Sequence, residues 1–244
     1  MLDIESHSAV SPGSVTPKDL STLRMGMYNK VQNSPARESY ITFDILGGDL
    51  TQSTGNARDL INSVLSSLNS IVANSWNGYY NALYQVNNVI SIVEDLPESD
   101  LRNLIIGEAH YFRAYIYHSL VTRWGGVPIQ RVNTMDKPFR DSEEAVWAFI
   151  EEELETALAF LGTSSSCYYV SRDAALALKA RVMLERGKKT EAAALAEGLI
   201  KDGKYKLDSF EKIFRGKTNT EVIFSFQCLA EESNITISTL FYTY

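Results

Sequence analysis

Apolar residues recur at helical spacing through most of this chain, and capping or turn residues mark the breaks between them. In TPKDLSTLRMGMYNKVQ, Thr16 can cap, Pro17 suits the first helical position, and Leu20, Leu23, Met27 and Val31 share a face. A helical pattern resumes at Ala57 and stops before Pro97, with Val72, Trp76, Tyr79, Tyr80, Leu83, Val86, Ile90 and Val93 as its stripe. That length fits one long helix, or two joined at Asn74-Ser75. The next helix is predicted from about Ser99 to Trp124, with Ile105, Ala109, Phe112, Ile116 and Leu120 on one face and Tyr111, Tyr115 and His118 beside them. Gly125 is expected to cap it with a positive φ, and Pro128 prevents its continuation. Asp141-Ser142-Glu143-Glu144 reads as a capping box ahead of Val146, Phe149, Ile150, Leu154, Ala157, Leu158 and Leu161, closed at Gly162. Ser171 then caps an alanine-rich helix pair, broken at Arg186-Gly187 and ended at Gly203. Glu221–Cys228, EVIFSFQC, alternates as a strand does. Residues 1–16 are polar, with Ser, Pro and Gly, and read as an extended tail.

The alanine-rich pair, Asp173 to Tyr205, is about 33 residues long, the length of a tetratricopeptide repeat. Ala175, Ala180, Ala193 and Ala196 supply small side chains where two helices would cross closely. Ala109 and Ala114 correspond to Ala175 and Ala180, each pair 66 positions apart, close to two repeat periods. The expected fold is therefore mainly all-α, with stacked tetratricopeptide-like helix pairs and one short β element near the C-terminus. Residues 17–244 would form a single helical-repeat domain behind the tail.

Composition narrows the function. A chain of 244 residues with 45% hydrophobic and 22% charged residues can bury a sizeable core. Its net charge of -7 and lack of any Lys/Arg run argue against a nucleic-acid or anionic-membrane partner. Cys167 and Cys228 form no framework and no CxxC spacing. No apolar run is long enough to span a bilayer, and MLDIESHSAVSPGS lacks the regions of a signal peptide. Either the protein is cytosolic or a signal has been removed. His110 and His118 lie eight positions apart with no third ligand at helical spacing, so no metal is expected. Glu151-Glu152-Glu153 reads as a solvated helix face. With no GxSxG, HExxH, P-loop or dinucleotide motif, neither an enzyme nor a cofactor is expected.

The segment GEAHYFRAYIYHSLVTRWGGVPI, Gly107–Ile129, closely resembles the signature of the SusD/RagB family. Other pieces follow in that family's order. They are Leu2-Asp3, the W-x-x-Y-Y-x-x-L-x-x-x-N run from Trp76 to Asn87, and Arg140-Asp141 before the capped helix. After them come Ala175–Gly187, Gly203–Leu207 and Glu221–Gln227. The resemblance implies an outer-membrane lipoprotein, held by a lipid anchor, that sits on a TonB-dependent, SusC-like transporter. Such a protein captures oligosaccharides, or peptides in RagB-like members, on a core of tetratricopeptide-like pairs. Family members are usually about twice as long, so the C-terminal half that supplies part of the ligand surface is expected to be missing here.

Sugar recognition needs flat aromatic faces and planar polar groups that reach the ring hydroxyls. The resemblance implies that the segment between the first helix and the Trp76 helix contributes to the ligand face. There LGGDLTQSTGNARD offers Asp49, Thr51, Gln52, Asn56 and Arg58 on a glycine-rich frame. Tyr168 and Tyr169, in a Ser-rich loop, can either stack on a ligand or pack at the repeat edge. Trp76, Tyr79 and Tyr80 lie on an apolar stripe and are assigned to the core, as are the rings of Tyr111, Phe112, Tyr115 and Tyr117. A second reading is a helical-repeat module that holds a peptide or protein in a concave groove.

Overall fold

The computed structural model describes residues 15–35, 39, 47, 56–64, 66, 68–164, 166–215 and 219–227. Its helices are α1 (Leu20–Asn33), α2 (Asn56–Ile61), α3 (Ser70–Glu94), α4 (Asp100–Trp124), α5 (Glu143–Phe160), α6 (Arg172–Glu185), α7 (Lys189–Lys201) and α8 (Phe210–Arg215). Five of them open on a side chain that satisfies an otherwise free backbone N–H, Ser209 Oγ accepting from Lys212 N at 3.3 Å ahead of α8. Asn69 Oδ1 accepts from Ile71 N at 3.0 Å, and Ser99, Ser142 and Ser171 Oγ accept from Arg102, Ala145 and Ala174 N, each at 3.2 Å. Ahead of α1, a 3-10 turn at Pro17–Asp19 is closed by the Asp19 carboxylate, which accepts from both Thr16 N and Thr16 Oγ1.

From α3 to α7 each helix packs on the next, and α1 packs on α3 and α4. The connections fold each helix back on its predecessor, which gives the stack of helix pairs expected from the spacing. The spacing itself needs correction. A single helix, α5, separates α4 from α6, so the 66 positions between Ala109 and Ala175 make one helix pair with long connections, not two repeats.

Three boundaries also differ. Asn74 and Ser75 lie inside α3, and the joint falls between α2 and the Asn69 cap, where Ser63 takes a φ of 57°. The α5 cap is Ser142 rather than Asp141, because the Asp141 carboxylate is occupied by Ile129 N at 2.7 Å. No strand forms among the described residues of 221–227. One ladder-like bond, Ser225 N to Cys167 O at 2.9 Å, ties this segment to the loop before α6, and among the described residues no neighbouring bond extends it. Residues 1–14 and Cys228 lie outside the described residues.

Helix α4 is the centre of the stack. Apart from Tyr115, every position from Ile105 to Val121 is buried, so it presents no amphipathic stripe and is enclosed on all sides. Tyr115 is half-buried at the core's edge, and burial with the nearby Tyr79 raises its hydroxyl to about 12.

At the end of α4, Gly125 has φ 69° and ψ -131°. The sign of φ matches expectation, but this ψ lies outside the left-handed helical well, in a region that L side chains hardly enter. Gly125→Val should therefore lower the unfolding free energy by about 1–3 kcal/mol, read from a urea transition. An unchanged transition midpoint would show that the turn relaxes at no cost.

Candidate functional site

The conspicuous polar residues of α4 are taken up by the scaffold. Glu108 accepts from Arg24 Nε and Nη2, both at 2.6 Å, and from Tyr28 OH at 2.7 Å, which binds α1 to α4. Burial first, and the Glu108 charge next, push the Tyr28 hydroxyl far up, so it remains a donor. Arg113 donates Nε to Glu153 Oε2 at 2.6 Å and Nη2 to Glu153 Oε1 at 2.8 Å, while His110 Nδ1 lies 2.8 Å from the same carboxylate. Burial would raise the Glu153 carboxyl, but the hydrogen bonds from His110 and Arg113 outweigh it and hold the group below the usual carboxylate range.

Glu153 is thus a buried anchor, against the expectation of a solvated face. Glu152 pairs with Arg131 at the surface, and Glu151 pairs with Lys188 and Arg186. His118 Nε2 lies 2.7 Å from Glu185 of α6, so both histidines serve helix contacts.

The Gly-Gly-Val-Pro turn is clamped by the other motif residues. Pro128 O accepts from Tyr80 OH at 2.9 Å and Tyr117 OH at 3.3 Å; Gln130 O accepts from Asn87 Nδ2 at 2.9 Å. Arg140 Nε donates to Gly126 O at 2.7 Å, and Trp76 meets Trp124 edge-on at 5.3 Å. Trp76 and Tyr80 are partly buried against the core and Tyr79 is fully so, which places these rings in the scaffold.

Among the described residues, one place open to a ligand lies on the outer side of α1. Thr22, Gly26 and Asn29, spaced for one helix face, form the floor of a cleft of about 510 Å³. Gly26 keeps that floor flat, since nothing stands within 4 Å of where a Cβ would be. The walls are the rings of Tyr168, Tyr169 and Phe226, with the amides of Gln32 and Gln227. Tyr169 is seated by Arg24, whose guanidinium carbon lies 4.3 Å from its ring centre, and by Tyr28, edge-on at 5.7 Å. Among the described residues, no acidic or basic side chain lines the cleft.

A second cleft, about 340 Å³, has Tyr168 in common with the first and adds Ser164, Lys204, Tyr205, Thr220 and Ile223. In it, Lys204 Nζ and Tyr205 OH both donate to Asp173 Oδ2, at 2.7 and 2.8 Å. Burial would raise Asp173, but these bonds win and its carboxyl is lowered.

The expected site residues divide. Tyr168 and Tyr169 are brought together with α1 at the first cleft, both half-buried. Arg58 is exposed on α2 and lines neither cleft. Asn56 begins α2, and Asp49, Thr51 and Gln52 lie outside the described residues. The α1 stripe went unnoticed in the sequence because Thr22, Gly26 and Asn29 look like any solvated helix face. The signal available was a glycine centred in that face.

A family model described as SusD-like, starch-binding associating with outer membrane, matches residues 2–184. The chain belongs to the SusD-like family. A SusD-like protein of Formosa agariphila is 29% identical over 166 residues, which covers 66% of this chain and 32% of that protein. A solved SusD superfamily protein of Bacteroides thetaiotaomicron superposes with a TM-score of 0.77 at 21% identity, covering 91% of this chain and 55% of its own. A laminarin-binding SusD-like protein superposes at 0.76 with 20% identity, covering 86% and 50%. The SusD-like chain described here thus spans about a third of that curated relative and about half of these solved structures. Among its described residues, no helix is long and apolar enough to cross a membrane.

Proposed function

We propose that this chain binds an oligosaccharide at the outer-membrane surface, without cleaving it, for passage to a TonB-dependent transporter. One observation carries the reading: a cleft walled by three aromatic rings, floored by an exposed polar helix face and, among the described residues, free of charge. Aromatic faces suit the apolar side of a sugar ring, and amides and hydroxyls suit its rim. The family description, starch-binding and outer-membrane associated, and the laminarin bound by one relative support the ligand class and the location. The Gly47–Arg58 loop, with Asp49, Thr51, Gln52, Asn56 and Arg58, is proposed as a further wall of the site.

A protein that hands on its cargo must release it, so affinity should be modest, with Kd roughly micromolar to millimolar. Calorimetry against a glycan panel and a peptide panel tests the class. Thr22→Ala/Asn29→Ala should weaken glycan binding on the order of tenfold, from two lost hydrogen bonds, with folding intact on an exposed helix face. Undiminished binding would remove the α1 cleft from the site, and unchanged binding by Asp49, Gln52, Asn56 and Arg58 together replaced by alanine would remove the loop. Binding of peptides alone would replace the glycan reading.

A further inference from the structure

We infer that the two clefts form one track crossing Tyr168, and that the ligand is a neutral, linear oligosaccharide long enough to occupy both. The inference rests on the glycan reading above and narrows it by length and by charge.

Length follows from how the clefts share their walls. Tyr168 lines both. The segment after Asn219 lines both as well, with Val222 and Ile223 in the second cleft and Phe226 and Gln227 in the first. Three peptide steps separate Ile223 from Phe226, so their backbones are no more than about 11 Å apart. Between them, Ser225 N donates to Cys167 O at 2.9 Å, fixing this segment against the Tyr168 loop where the clefts meet. Tyr168 is itself held in place, because its N–H donates to Ser166 Oγ at 3.2 Å and Ser166 N donates to Ser164 Oγ at 3.2 Å. Backbone bonds at Ser166 and Tyr168 reduce the conformational freedom that a ligand bound across this residue would have to remove, which lowers the entropic cost of binding. A mono- or disaccharide would fill one cleft and leave the other to water.

Charge follows from the lining. Among the described residues, the first cleft has no carboxylate or cation, and Arg24 beneath Tyr169 is already paired with Glu108. In the second, Lys204 is matched by Asp173 at 2.7 Å. Among the described residues, neither cleft offers an unpaired cation to a uronate or other acidic sugar.

The test is calorimetry on the 244-residue chain with malto- and laminari-oligosaccharides of two to seven units, and with an oligogalacturonide as the acidic probe. In whichever neutral series binds, affinity should rise about tenfold or more from the disaccharide to the longest member, as a second set of contacts is made. Tyr168→Ala should abolish that gain, and Lys204→Ala, in the second cleft, should reduce it. Asn29→Ala should weaken every length alike. Circular dichroism checks that each variant is folded, and a Tyr168→Phe control should keep the gain. Equal affinity at every length, or a gain that survives Tyr168→Ala, would overturn the track. Tighter binding of the oligogalacturonide would overturn the neutral ligand. Failure of every glycan to bind the unaltered chain is a separate result, which removes the glycan reading itself.

Discussion

Arg113→Ala should lower the unfolding free energy by about 3–5 kcal/mol, the cost of leaving a buried carboxylate without its main partner. Arg113 and Glu153 are both almost fully buried, at 5% and 2% exposure. The guanidinium meets Glu153 with two hydrogen bonds and spends Nη1 on Asn87 Oδ1 at 3.2 Å and Arg131 O at 3.0 Å. It therefore joins α3, α4, α5 and the turn in one network, and its loss strands acceptors in α3, α5 and the turn. Arg113→Met/Glu153→Leu should recover most of the loss, since an apolar pair of similar volume carries no desolvated charge. Urea unfolding of the two variants decides the matter. A cost below about 1 kcal/mol for Arg113→Ala would mean that Glu153 finds water or His110 sufficient.

The same network sets a direction for acid stability. The folded Glu153 carboxyl lies below its ordinary value of 4.5. Its contribution is thus complete above that pH, and is lost as pH falls from there through the folded value. Glu153→Gln should flatten the stability curve in this window while lowering it at neutral pH.

Much of this fold was legible because its signals are local. Caps at Ser99 and Ser171, the break at Gly187 and the stop at Gly125 each depend on a few neighbouring residues. What misled was decided by distant partners. EVIFSFQ alternates like a strand, yet among the described residues its ladder-like pairing is a single backbone bond, to Cys167. Glu153 looks solvated among three glutamates until α4 brings Arg113 and His110 against it. Asp141 resembles a helix cap, and its carboxylate is claimed by Ile129 across the turn. The candidate site follows the same division. Tyr168 and Tyr169 stand out as aromatic residues in a serine-rich loop, whereas Thr22, Gly26 and Asn29 gain meaning only when that loop folds over α1. The signature in α4 is conspicuous because an enclosed helix must pair every polar group it carries, which is a demand of the scaffold rather than of the ligand.

The adjoining glycine gives the second large effect. Gly126→Ala should destabilise the chain by about 3 kcal/mol, at the upper end of the usual cost of overpacking. A Cβ there would lie 2.3 Å from Asp141 O and 3.0 Å from Glu143 N, and both are backbone atoms with little freedom to retreat. Gly125 stands beside it for another reason. Its Cβ would find only ordinary contacts, the nearest at 3.5 Å from Glu143 Oε2, and its demand is the positive φ. Retreat of Asp141 would also pull its carboxylate from Ile129 N and shift Ser142, the cap of α5, so one methyl group disturbs both the turn and the next helix. For a chain of this size the loss corresponds to a fall in melting temperature of roughly 6–12 °C. Calorimetric melting of Gly126→Ala beside Gly125→Ala separates the two causes. Serine at 126 should cost at least as much as alanine, because the obstacle is steric, while at 125 the two should cost alike, because the obstacle is the backbone angle. Neither glycine lines either cleft, so glycan affinity should be unchanged at temperatures where the variants are folded. A folded Gly126→Ala that has lost its ligand would place the turn in the binding site and overturn its assignment to the scaffold.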